Sequence, residues 1–462
     1  MTDTLTTDLA RATAGETVRA IADREISALE AIDAAIARIE ARDGAINAVV
    51  VRDFDRAREA ARAADAAIAR GERGPLLGVP MTVKEANWVA GLRTTWGMEH
   101  WSDWKAPVDG VGIARLKAAG AIILGKTNVP PMLADFQSDN PVYGRTNNPW
   151  DLTRTPGGSS GGGGAALAAG MVPLEFGSDI GGSIRIPAGF CGVYGHKPSY
   201  GVVPLRGHTP PGLDGVDVPV AVVGPMARTA ADLDLALGVL AGPDDSEAVG
   251  YGLAFPPPRH GRLADYRVLI LDHHPLAAAD DEIREALDAL GDRLEDLGAR
   301  VDRHTDLLPD LADAHEVYGA ILNTALTMGQ PGARPPNAHE WMTLLTRQLF
   351  IRRQWARLFK GFDVVLAPSL GTLAFPHDPS PDMGARTLLL NGEKTPYFNQ
   401  IAWSGVATLG HLPATAAPIG VSKAGLPIGI QIIGPYLEDR TTIAFAGLLE
   451  REFGGFVAPP GY

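Results

Sequence analysis

Alternation of strand-length and helix-length runs points to an α/β protein with a largely parallel or mixed sheet, and composition and the lack of a linker make it one folded body. From Leu76 onward, short apolar runs of strand length alternate with runs of helical period. The 462 residues are 45% hydrophobic and 21% charged, an ordinary globular balance that rules out a disordered chain. That length allows roughly three small domains or one large one, either able to bury a sizeable core. No fixed-period repeat and no convincing linker divides the chain, so it reads as one body.

The N-terminal part is helical. Ser27-Ala28-Leu29-Glu30 reads as a capping box, in which hydroxyl and carboxylate each satisfy an orphan backbone N–H. Leu29, Ile32, Ile36 and Ile39 follow at helical spacing, and Gly44 is expected to stop the run. A second helix, rich in Ala and Arg, is expected from Asp53 to Ala69, ending near Gly71. Residues 1–72 therefore read as a helical packing arm. Strands are then expected at Val79 to Val83, Ala121 to Leu124, Val172 to Phe176, Val268 to Leu271, Val364 to Ala367 and Ile428 to Ile433. Helices are expected at Val111 to Ala119, Ala165 to Met171, Asp281 to Leu297 and Arg440 to Glu452. Pro/Gly clusters at Thr209 to Gly215, Phe255 to Gly261, Gln330 to Asn337 and Phe375 to Gly384 read as loops over one body.

Charge narrows the partners. Acidic residues outnumber basic ones 54 to 41, a formal charge of −13, which argues against nucleic acid and against anionic membrane surfaces. Met1 to Glu16 lacks the apolar core of a signal peptide, and the apolar stretch Gly161 to Leu174 is too short to span a bilayer. The expectation is a soluble cytoplasmic protein, bacterial in style. One cysteine, Cys191, excludes an intrachain disulfide and a thiolate zinc cluster. The histidines show no H-E-x-x-H spacing, so no metal is expected. Only 8 of the 41 basic residues are lysines, which gives weight to a lysine in unusual company.

Three segments stand out. Lys84 ends the apolar strand Val79 to Val83, where burial would lower its pKa toward the range of a general base; the plain alternative is a solvated surface charge. Gly157-Gly158-Ser159-Ser160-Gly161 fits a G-x-S-x-G nucleophile elbow, with ten histidines downstream as possible partners. It is not a P-loop, because no Gly-Lys-Ser/Thr follows; the plain alternative is a glycine turn opening a helix. Gly177-Ser178-Asp179-Ile180-Gly181-Gly182-Ser183-Ile184-Arg185 follows a strand. Its glycines let several backbone N–H groups converge as an oxyanion nest and place Ser183 at a strand edge. The plain alternative is a strand-to-helix turn with a capping serine.

Taken together, Gly78 to Lys84, Gly157 to Gly162, and Gly177 to Pro187 running on to Phe190-Cys191-Gly192 and Lys197-Pro198 resemble the amidase signature family. Asp363 to Pro368 and Gly425 to Gln431 look like further landmarks. The resemblance is dense over residues 76–201, thins through Arg206 to Phe362, and returns near the C-terminus. It implies one amidase domain over residues 1–462, with a mixed twisted sheet covered on both faces by helices and residues 76–201 as its core. It implies a Ser–cis-Ser–Lys triad: Ser183 as nucleophile, Ser159 as the bridging serine after a cis peptide from Gly158, and Lys84 as base. The implied oxyanion hole is the backbone N–H set of Ile180, Gly181, Gly182 and Ser183. Ser178 is implied to contact the bridging serine, and Asp179 and Arg185 to form a buried supporting pair. No cofactor is implied. The chain departs from the family pattern at Glu85-Ala86-Asn87, where Asp-Asn is usual after the lysine, and at Gly163, where Ser or a charged residue is usual.

The implied activity is hydrolysis of small amides through an acyl-enzyme, extending to esters and carbamates (urethanes). Trp88, Trp96, Trp101 and Trp104 crowd the segment after Lys84, as pocket mouth or as packing. Met132, Leu133 and Phe136 fall where family members often contact substrate, so an apolar or aryl group is expected. The expected partner is a small amide or carbamate, and the expected state a monomer or homodimer. One rival is the glutaminase component of a tRNA amidotransferase, which would need partner subunits. Ile180 stands where that type usually has a small polar residue. A second rival is a non-catalytic nucleotide-binding protein using the glycine loop.

Overall fold

Short runs of three to eight residues, most of them apolar, make the sheet, and the computed structural model describes it within residues 9–213, 215, 217–327 and 332–462. The expected leaderless start, the loop from Gln330 and the loop through Asp214 lie partly outside the described residues. In chain order the strands are β1 (Val49–Arg52), β2 (Pro80–Lys84), β3 (Ile122–Thr127), β4 (Asp139–Asn140), β5 (Gly144–Arg145), β6 (Leu174–Asp179), β7 (Tyr194–Lys197) and β8 (Val222–Ala227). Then come β9 (Arg267–Ile270), β10 (Arg300–Asp302), β11 (Val364–Pro368), β12 (Thr387–Leu390), β13 (Glu393–Pro396), β14 (Ala414–Val421) and β15 (Pro427–Ile433). Eleven of them form one mixed sheet in the order β1-β3-β2-β6-β8-β7-β14-β15-β11-β9-β10. Pairing is parallel along β3-β2-β6 and β11-β9-β10 and antiparallel from β6 through β8, β7, β14 and β15 to β11. β4–β5 and β12–β13 are separate hairpins.

The sheet is buried on both faces, and strand alternation divides its side chains between two layers. In β11, Val364 and Leu366 join one apolar cluster while Val365 and Ala367 join another. The first cluster takes Met81 and Val83 of β2 with helices Val111–Ala118, Ala230–Leu240, Asp281–Asp296 and Asp439–Phe453. That leaves Thr82 and Lys84 on the opposite face of β2, where the helix Gly161–Ala168 packs.

The structure shifts several expected bounds. The capping box at Ser27 and Glu30 forms, but the helix continues through Gly44 to Ile46 and is ended by left-handed Asn47, φ 60°. Gly44 fails as a stop because nothing at that position requires a positive φ. The helix after Asp53 runs Phe54–Ala69, and Asp65 reaches back to accept from the Ala28 N–H at 2.6 Å. Sequence reading passed over β7, β8 and β14 and the helices Arg185–Cys191, Leu311–Leu326, Ala338–Leu358 and Ile401–Leu409. Among the described residues no helix is long and apolar enough to cross a membrane.

Candidate active site

Lys84 is the last residue of β2 and is fully buried. Its Nζ donates to Ser159 Oγ at 2.7 Å and to Ser178 Oγ at 2.9 Å. Burial drives its pKa down to about 7, against the opposing pull of Asp179 and Glu175. At neutral pH much of this amine is uncharged and able to accept a proton from a hydroxyl.

Ser159 follows a cis peptide bond from Gly158, just ahead of the helix Gly161–Ala168. Residue 158 has to be glycine: a Cβ there would overlap the carbonyl oxygens of Asp135 and Gln137. The segment Asp135 to Ser138 therefore lies directly on the serine loop, and the Ser138 hydroxyl donates to the Gly157 carbonyl at 3.1 Å.

Ser183 does not lie on a strand edge, contrary to expectation. β6 ends at Asp179, and Ser183 sits in the turn before the helix Arg185–Cys191. The turn is pinned by Asp179, whose carboxylate accepts from the N–H groups of Gly182 at 3.0 Å and Ile184 at 3.1 Å. Gly182 holds φ +93°, and a Cβ on it would overlap the Ser404 hydroxyl. The Ser183 carbonyl accepts the Ser160 N–H at 3.1 Å, joining the two serine loops. Of the four N–H groups expected to form the nest, that of Gly182 is engaged by Asp179, and those of Ile180, Gly181 and Ser183 remain as candidates.

Asp179 and Arg185 are both fully buried and paired through two contacts, Nη2–Oδ1 at 2.8 Å and Nε–Oδ2 at 3.0 Å. The other guanidinium hydrogens reach Gln431 Oε1 at 2.6 Å, the Ser404 carbonyl at 3.1 Å and Thr408 Oγ1 at 2.9 Å. Burial pushes the Asp179 carboxyl up, but the charge and hydrogen bonds of Arg185 outweigh it and take it down to about 2. Cys191 is buried, donates to the Pro156 carbonyl at 3.4 Å, and is pushed up by burial, so it stays a thiol.

The expected substrate contacts separate. Met132 and Leu133 are half-buried and adopt left-handed backbone, φ 50° and 59°, with the Met132 N–H held by the Trp96 carbonyl at 2.8 Å. Two consecutive bulky residues in this region are sterically unusual, the kind of conformation that clusters at ligand sites. Phe136 is instead taken into an aromatic cluster, with ring centroids 5.1 Å from Tyr397 and 6.0 Å from Phe398. Trp88 and Trp96 are buried; Trp88 packs on Trp104 at 5.3 Å, and Trp96 on His208 at 5.4 Å. Glu85 anchors this region by accepting the N–H groups of Thr95 at 2.5 Å and Trp96 at 3.0 Å.

Sequence reasoning missed Tyr318, whose hydroxyl donates to the Ile180 carbonyl at 2.8 Å, and His208, partly buried, bonded to Asn87 Oδ1 at 3.1 Å and held neutral by desolvation and the nearby lysines. No motif marks either. It also gave no role to Gln431 or Glu175, although a polar side chain inside an apolar strand run is itself a signal. Among the described residues no group of three or more His, Cys, Asp or Glu is arranged to hold a metal ion.

A mixed sheet carrying a buried lysine on two serines, beside a glycine turn with a third serine, defines a hydrolase of the amidase class. The Amidase family model matches residues 30–328 and 315–443, and the chain belongs to the amidase signature family of amidohydrolases. Among its relatives, a glutamyl-tRNA(Gln) amidotransferase component from Anaeromyxobacter sp. (strain K) is 34% identical over 95% of this chain and 96% of its own. The fatty-acid amide hydrolase 2-A of Danio rerio is 32% identical over 98% of this chain and 91% of its own. The crystal structure of a bacterial aryl acylamidase superposes with a TM-score of 0.82 at 28% identity, covering 98% of this chain and 99% of that one.

Proposed function

We propose that the protein hydrolyses the C–N bond of small apolar or aryl amides through an acyl-enzyme on Ser183. The observation that carries this reading is the contact of the buried, readily deprotonated Lys84 amine with Ser159 Oγ at 2.7 Å. Neutral Lys84 takes a proton from Ser159, which takes one from Ser183 as the Ser183 Oγ attacks the substrate carbonyl. The N–H groups of Ile180, Gly181 and Ser183 receive the oxyanion, while the Gly182 N–H, bound to Asp179, holds the turn in shape. The relay returns the proton to the leaving nitrogen, and water then repeats the attack on the acyl group.

The surroundings of the nest support an apolar substrate. A Cβ placed on Gly181 would lie 3.0 Å from Ile401 Cδ1 and 3.4 Å from the Tyr318 hydroxyl, so these side chains close over the turn. Met132 and Leu133 supply further apolar surface near the serine loop. A carbamate or ester presents the same carbonyl to the same groups, which brings both within reach. The net charge of −13 fits a neutral small molecule better than an anionic partner, in a cytoplasmic monomer or homodimer.

The test is a panel of anilides, alkyl amides, aryl esters, carbamates and glutamine assayed with wild type, Ser183→Ala and Lys84→Ala. Hydrolysis of anilides by wild type, with folded Ser183→Ala inactive, supports the reading. Turnover of glutamine alone would assign the chain to the amidotransferase type, and full activity in Ser183→Ala would end the mechanism.

A further inference from the structure

A buried carboxyl lies under the lysine and has no part in the steps above. Glu175 of β6 is fully buried and paired in register with Thr82 of β2. Thr82 and Lys84 are two residues apart on β2 and share a face; Lys84 is paired with Thr127 of β3. The Thr82 hydroxyl donates to Glu175 Oε2, and the Thr127 hydroxyl donates to Oε1 at 2.8 Å. The roof is Gly163, where a Cβ would stand 2.6 Å from Glu175 Cγ, 2.8 Å from Cδ and 2.9 Å from Oε1. Gly163 is one of the two places where the sequence departs from the family pattern. The departure and the carboxyl are one feature, because any larger residue at 163 would occupy the space of Glu175.

We propose that Glu175 is a positioning residue for Lys84, a buried carboxyl whose charge sets how readily the amine gives up its proton. This rests on the reading of Lys84 as the base. Lys84 is the charged group that acts on Glu175 across β2; β3 contributes the Thr127 hydroxyl, and the roofing helix contributes glycine. Lys84 in turn faces Glu175 and Asp179 from β6 and the imidazole of His208, which burial keeps neutral. Burial raises the Glu175 carboxyl and lowers the Lys84 amine, while the two threonine hydroxyls and the lysine itself favour the carboxylate, so the two groups titrate as a coupled pair. An ionised Glu175 favours the ammonium form, and a protonated Glu175 favours the free amine.

The experiment is the pH profile of kcat/KM for an acyl p-nitroanilide. Wild type comes first: an acid limb that Lys84→Ala abolishes upholds the base reading, and its absence removes that reading and this inference together. In Glu175→Gln, which keeps the shape and loses the charge, the limb moves to lower pH by about half a unit or more, because the ammonium loses a counter-charge. Thr127→Val, which removes one hydroxyl that favours the carboxylate, moves it in the same direction by less. A limb fixed within about 0.2 unit in both variants, with only the plateau lowered, overturns the proposal and leaves Glu175 a packing group.

Discussion

Lysine is rarely buried outright, yet Lys84, Lys126 and Lys197 are at most 1% exposed. Their partners set them apart. Lys126 donates to Thr94 Oγ1 at 2.7 Å and to the Arg93 carbonyl, and Lys197 donates to the Pro198 carbonyl at 2.8 Å. Lys84 meets two serine hydroxyls, and one of those serines adjoins the nest. We expect Lys84→Ala to lower kcat/KM by about a thousandfold or more in a steady-state anilide assay. Lys84→Arg fails equally, since a guanidinium stays protonated. Asp179 gives a stability prediction. Folded, it holds its proton less tightly than an unfolded aspartate near 3.9, so its contribution is complete above about pH 4 and is lost as pH falls toward 2. Asp179→Asn leaves Arg185 an unpaired buried charge and costs about 3–5 kcal/mol, to be read from urea unfolding at pH 7. At this scale the sequence was legible where an oddity sat in a pattern, as with a lysine closing an apolar strand. Glu175 broke its strand in the same way but read only as the end of an apolar stretch. Its meaning depends on Thr82 and Thr127, 93 and 48 residues away.

The turn between β6 and the helix Arg185–Cys191 is the element on which the proposed chemistry depends, and neighbours far off in sequence hold it. Asp179 ties its inner N–H groups, and Tyr318 ties the Ile180 carbonyl from a helix 138 residues further on. Tyr318→Phe keeps the ring and loses that bond. We expect kcat to fall about tenfold with KM nearly unchanged, since the turn presents the oxyanion donors. The segment after β3 is clamped in a similar way: Asp135 accepts from Arg386 at 2.7 Å and from the Tyr397 hydroxyl at 2.6 Å. Asp135→Ala should loosen Met132 and Leu133 and raise KM several-fold more than it lowers kcat, as an initial-rate series with anilides will show. Elements with strong periodicity and a cap, such as the helix from Ala28, could be read directly. The helix Ile401–Leu409 could not, because an uncapped, almost uniformly apolar run carries no period that separates helix from strand.

Over the whole molecule, the sheet order brings three short segments into one place. β2 lies between β3 and β6, so Lys84 at the end of β2 faces both the helix after Ser159 and the turn after Asp179. Parallel neighbours with glycine-opened helices across them leave little choice of geometry there, and the resemblance carried by these motifs implied the architecture around them. The antiparallel strands β8, β7 and β14 were not legible in the same way, because they contain Gly, Pro and His at positions that only the completed sheet explains, whereas their neighbour β15 showed as the apolar run Ile428 to Ile433. The proposed chemistry rests on a lysine neutral near pH 7 that withdraws the proton from Ser183 through Ser159. The most direct measurement is the rate at which a fluorophosphonate labels the enzyme from pH 5 to 9, with the adduct located by peptide mass. Labelling is expected at Ser183, rising with pH through a midpoint near 7 and lost in Lys84→Ala. Labelling at another residue, or a rate flat across that range, would contradict it.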